Sequence, residues 1–102
     1  MFVYNITIKI LSEIEAGWVA WQKQEHIPDI MASGCFTHYN FYKLLEPEAE
    51  DEGITYIAQY FANTLNDYQK YIDETAPLLR QKAFEKWGNQ FIAFRTLMQS
   101  VH

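Results

Sequence analysis

The chain has 102 residues, of which 49% are hydrophobic and 17% aromatic, and a formal net charge of −5. This length fits one domain spanning 1–102, and so large an apolar share excludes a disordered chain, which lacks enough surface to bury. The acidic excess sits in one run, Glu46–Glu52, beyond which the chain carries 8 basic and 8 acidic residues, with no Lys/Arg cluster to neutralise the phosphates of a nucleic acid.

Phe2–Ile10 alternates apolar and polar residues with β-branched side chains, the period of a strand. Ser12 and Glu15 have capping-box spacing, and Ile14, Trp18 and Trp21 form an apolar stripe, so a helix is expected from Ser12. It should fail near Gln24–His26, because Pro28 disfavours helical geometry at Ile27. Pro28–Ala32 then starts a second short turn that Gly34 ends. Cys35–Leu45 reads as a long aromatic strand, Glu46–Gly53 as a polar turn and Ile54–Phe61 as a third strand. Thr64 and Asp67 open the next helix, whose stripe is Leu65, Tyr68, Ile72, Ala76, Leu79, Ala83 and Trp87. Pro77 predicts a break at Glu74–Ala76. Gly88 caps the helix, and Asn89–Met98 is the last strand.

The order β-α-β-β-α-β predicts an α+β, ferredoxin-like domain. Right-handed crossovers place both helices on one face of a four-stranded antiparallel sheet of order 4-1-3-2. Apolar or aromatic residues fall on both faces of three strands: Phe36 and Tyr42 against Tyr39 and Phe41, Tyr56 and Tyr60 against Ile57 and Phe61, Phe91 and Ala93 against Ile92 and Phe94. A sheet covered on one side has no need of that, so the open face is expected to pair with a second copy as a homodimer.

Glu25-His26-Ile27-Pro28-Asp29 is the cluster that suggests chemistry. At a helix end His26 would favour the protonated imidazole, and nearby carboxylates act the same way. Read as catalytic residues, Asp29 orients one ring nitrogen of His26 while the other faces a small-molecule ligand. The plainer alternative has His26 satisfying carbonyls at the helix end and Asp29 favouring the start of the next turn. Trp18, Trp21, Tyr56 and Tyr60 are either the wall of a flat pocket between helices and sheet or plain aromatic core. Arg95 is either an anion anchor or a surface ion-pair partner. The enzyme reading requires a cavity of at least about 300 Å³ reached by the His26 ring. Cys35 has no adjacent base and reads as a buried thiol. No metal-ligand spacing, phosphate loop or nucleophile elbow occurs, so no metal or cofactor is expected. No apolar run approaches the ~18 residues of a membrane span. The N-terminus lacks the features of a secretory leader, so a cytoplasmic location is expected.

The segments YNITIKI, WVAWQKQEHIPDIMASGCF and TAPLLRQKAFEKWGNQFIAFRTL together resemble the bacterial family known as domain of unknown function 4286, over nearly the whole chain. The resemblance implies the dimeric α/β-barrel group, in which two ferredoxin-like subunits join their sheets. That group includes small monooxygenases, haem-degrading enzymes, isomerases and ligand-sensing domains, and its enzymes often hold substrate between sheet and helices. A His-x-Pro, here His26-Ile27-Pro28, recurs in several of its families. The family has no assigned activity, so no catalytic role transfers. Three functions stay open: a metal-free small-molecule enzyme, a non-catalytic ligand-binding or assembly domain, and a haem-handling protein.

Overall fold

The alternation of the N-terminal segment makes it a central strand, β1 (Phe2–Ile10), with Tyr4, Ile6, Ile8 and Ile10 buried on one face and Val3, Asn5, Thr7 and Lys9 on the other. In the computed structural model, which describes residues 1–46 and 53–102, β1 is flanked by β3 (Ile54–Ala62) and β4 (Phe91–Gln99), both antiparallel to it. A shorter strand, β2 (His38–Lys43), pairs antiparallel with β3, giving the order β2-β3-β1-β4 and the expected ferredoxin-like α+β fold. Glu48, Glu50, Asp51 and Glu52 of the acidic turn lie outside the described residues.

The helices are α1 (Glu15–Trp21), α2 (Ile27–Ala32), α3 (Leu65–Glu74) and α4 (Ala76–Trp87). Trp18, Trp21, Ile27, Ile30, Tyr71, Ala76, Leu79 and Ala83 join Tyr4, Ile6, Ile8, Ala58 and Tyr60 in one core cluster on one side of the sheet. Pro77 in the first turn of α4 imposes the break after Glu74, and Gly88 ends α4 at φ 59°. The Asp67 amide donates to Thr64 Oγ1 at 3.1 Å, the cap expected of α3. Thr64→Ala should cost about 1 kcal/mol, read as a lower urea midpoint at unchanged slope.

Several local expectations are corrected. The Ser12–Glu15 capping box does not form. Ser12–Ile14 is a 3-10 turn, the Ser12 hydroxyl donates to Glu13, and Glu15 accepts from the Tyr56 hydroxyl at 2.7 Å while pairing with Lys43 at 2.9 Å. A partner across the sheet outcompetes a local cap. The first helix does not fail before Pro28. It passes through a π-helical turn, Gln22–His26, and continues as α2, with Ile27 helical at φ −62°, ψ −46°. In a regular α-helix the Pro28 ring would press on the Gln24 carbonyl, and the widened turn relieves that clash. The strand β2 begins at His38 instead of Cys35, so Phe36 belongs to no strand face and is buried at 6% exposure in the helix-side core. The stripe of the second helical segment is also displaced at its start: Leu65 is 50% exposed, while Tyr71, absent from that stripe, is buried. The break at Thr75 resets the helical phase, so one stripe cannot run through both segments.

No helix among the described residues covers the opposite face of the sheet. Its rows read His38, Phe61, Val3, Met98, then Asn40, Gln59, Asn5, Thr96, then Tyr42, Ile57, Thr7, Phe94. Tyr42 is 51% exposed, Ile92 53%, Phe94 61% and Met98 41%. Two apolar rows thus flank a polar strip in which Gln59 donates to Asn5 at 3.3 Å.

Candidate functional site

Trp21 and His26 stand five positions apart. An unbroken α-helix would set them about 140° apart around its axis. The π turn, in which the Ile27 amide donates to the Gln22 carbonyl, brings positions i and i+5 nearly into line. The two rings stack at 4.6 Å and 22°. Together they help line a cavity of about 50 Å³ between the helices and the core face of the sheet, and an open outer groove of about 330 Å³.

The inner cavity collects five of the seven sequence-derived candidates: Trp18, Trp21, His26, Tyr60 and Arg95. The other two lie elsewhere. The Tyr56 hydroxyl is turned to Glu15, and burial together with that carboxylate pushes its pKa up to about 12. Asp29 is exposed and faces the outer groove with Glu25, Lys82 and Lys86. Among the described residues no hydrogen bond joins Asp29 to His26, so the proposed orienting pair is not formed. The inner cavity alone also falls short of the volume the enzyme reading required, whereas the outer groove on the other side of the Trp21–His26 pair reaches it.

Burial, first of all, lowers the His26 pKa to about 4; Arg95 adds to the shift and Asp29 opposes it. The expectation of a protonated ring at a helix end is therefore reversed. The helix does not end there, so no row of free carbonyls faces the ring, and desolvation dominates. An unfolded histidine takes up its proton near 6.5, the folded one only near 4. The unfolded state thus binds more protons in that window, and stability should fall as pH drops through it. His26→Gln should flatten that part of a melting temperature–pH profile. Superimposable profiles would contradict a buried neutral ring.

Two polar residues of the cavity carried no flag in the sequence. Gln22, 4% exposed, lies one turn after Trp18, and extending the apolar stripe by four would have reached it. Arg80 follows buried Leu79 on α4 and is itself exposed, and its guanidinium donates to the Tyr4 hydroxyl at 3.0 Å. The Tyr60 side chain is 0% exposed and its hydroxyl finds no hydrogen-bond partner among the described residues. Burial and three neighbouring tyrosines push its pKa far above the usual range, so it remains a neutral donor. Among the described residues no group of three or more His, Cys, Asp or Glu side chains converges as a metal site. No described helix is long and apolar enough to cross a membrane.

A four-stranded antiparallel sheet with helices on one face and a cleft beneath them defines a ferredoxin-like α+β protein, and solved structures share that fold. An ethyl tert-butyl ether d (ethd) family protein from Bacillus halodurans matches at TM-score 0.69 and 12% identity, over 99% of this chain and 100% of that one. A dimeric ferredoxin-like protein from an uncultured marine organism matches at 0.68 and 8%, over 99% and 96%. SnoaB, a cofactor-independent oxygenase from Streptomyces nogalater, matches as its N63A mutant at 0.61 and 10%, over 99% and 94%. Identities this low establish a common fold and nothing more. No curated protein sequence matches the chain. The chain belongs to the family described as Domain of unknown function (DUF4286), which matches residues 1–101.

Proposed function

We propose that the chain works as a homodimer, joined through its open sheet face, that takes a small molecule into the cleft between helices and sheet. The neutral His26 ring and the Tyr60 hydroxyl meet that molecule. The observation that carries this reading is the buried, unpartnered Tyr60 hydroxyl on a cavity that His26 also lines. A buried donor without a partner is costly, of order 1–3 kcal/mol, and a ligand acceptor offsets that cost. Two arginines, an amide and an imidazole around apolar walls are the usual make-up of a small-molecule site. The homodimer is supported by the two apolar rows of the open face and by solved neighbours described as dimeric ferredoxin-like proteins.

Catalysis is the second reading, favoured by the neutral imidazole, since a general base must arrive unprotonated. A neighbour described as a cofactor-independent oxygenase shows that this fold can host such chemistry without an added group. A thermal-shift screen of a small-molecule panel on wild type, His26→Ala and Tyr60→Phe tests the site. Hits shared by wild type and lost in both variants are expected; a wild-type protein that no compound stabilises would remove the cleft as a ligand site.

A further inference from the structure

Resting on the cleft reading above, we propose that the molecule taken in is or ends in a small anionic group, a carboxylate or an equivalent delocalised oxyanion, with Arg95 and Arg80 holding the anion.

The charge of the lining is one-sided. Among the described residues two arginines and no aspartate or glutamate line the inner cavity. Among the described residues neither arginine forms an ion pair, and the acidic side chains near His26 face the outer groove instead. The two guanidinium groups come from opposite walls. Arg95 stands on the core face of β4 opposite Ile6, and Arg80 reaches in from α4, where the Tyr4 hydroxyl takes up one of its N–H groups at 3.0 Å. A guanidinium keeps several N–H donors in a planar fork that matches a carboxylate, and cationic donors make hydrogen bonds about twice as strong as neutral ones.

The remaining polar groups suit the same ligand. The Tyr60 hydroxyl is a buried donor with no acceptor in the chain's described part. His26, being neutral, adds no competing positive charge and can either donate or accept. A cationic ligand would meet two like charges with no carboxylate to offset them. A neutral ligand would leave both guanidinium groups unmatched. Buried Trp18 and Trp21 on the helix side and Ile6 and Ile8 on the sheet side wall the cavity, and its volume of about 50 Å³ leaves room for a small anion.

Acetate and acetamide, which share shape and differ in charge, are the probes. Isothermal titration calorimetry at millimolar ligand is run on wild type, Arg95→Gln and Arg80→Gln. Both arginines are exposed enough that the substitutions leave the core intact, which circular dichroism confirms. Acetate is expected to bind wild type roughly tenfold or more tighter than acetamide. Each arginine variant should shrink that preference several-fold. Equal binding of the two probes would overturn the anionic ligand and leave the cleft reading standing. An acetate preference unchanged in both arginine variants would overturn the assignment of these residues. Binding of neither probe to wild type would remove both readings.

Discussion

Phe94→Asp is expected to halve the mass of the particle in solution, from twice the 12.1 kDa subunit to one copy. Phe94 projects from β4 on the open face and is 61% exposed in the subunit, so its replacement removes little from the subunit's own core. In a two-fold dimer the same residue enters the interface from both sides, and each assembly would bury two carboxylates. An ionised carboxylate without a partner in apolar surroundings costs several kcal/mol, which is a large part of what an interface of this kind provides. Sedimentation at micromolar concentration reads the outcome. Asn5→Ala, in the polar strip, should leave the dimer in place and serves as the control. A wild-type protein that sediments as one copy would refute the shared-face assembly, and so would a Phe94→Asp dimer as tight as wild type.

Tyr60→Phe is expected to stabilise the unliganded protein by about 1–2 kcal/mol while weakening ligand binding. The usual result for a buried tyrosine is the reverse, because its hydroxyl normally has a partner and its loss costs about 1 kcal/mol. Here the side chain is 0% exposed and the hydroxyl is unmatched among the described residues, so the substitution keeps the ring and removes the liability. The ring itself must stay, since it packs against Phe36 at 5.4 Å and Tyr4 at 6.4 Å. A stability gain paired with a binding loss is the signature of a group kept for function at the expense of the fold. Urea denaturation supplies the first half and calorimetry with acetate the second. A destabilised Tyr60→Phe would show that the hydroxyl is structurally satisfied and would withdraw it from the site.

Much of the fold was legible because one-sided burial writes itself into periodicity. Tyr4, Ile6, Ile8 and Ile10 announce β1 two residues at a time, and Pro77 and Gly88 mark both ends of α4. The open face was legible for the same reason: Ile57, Phe61 and Phe94 are apolar where a solvent-facing strand needs no such residues. The failures have a common cause. Glu15 chose Lys43 and Tyr56 over Ser12, and both partners are remote in the chain. Phe36 was assigned to a strand on its aromatic character, but the chain turns into β2 only at His38. At the site, Trp18, Trp21, His26, Tyr60 and Arg95 line one cavity, since strand faces and helix stripes decide which residues meet under the helices. Asp29 lies on the outer groove instead, because the helix expected to fail near Gln24–His26 runs on through Pro28. Arg80 escaped notice because its role depends on a hydroxyl from β1, 76 positions earlier in the chain.

The π turn makes the count of residues in the first helix as informative as their identity. Substituting Lys23 or Gln24, both exposed on the turn, changes a surface and leaves the winding alone. Winding the same number of residues as ordinary α-helix would instead set Trp21 and His26 about 140° apart. Helix content would survive, yet the imidazole would swing away from the indole it now covers. Homologous chains that keep the stacked pair should therefore tolerate exchanges between Trp21 and His26 while keeping either five positions with the widened turn or four with regular winding.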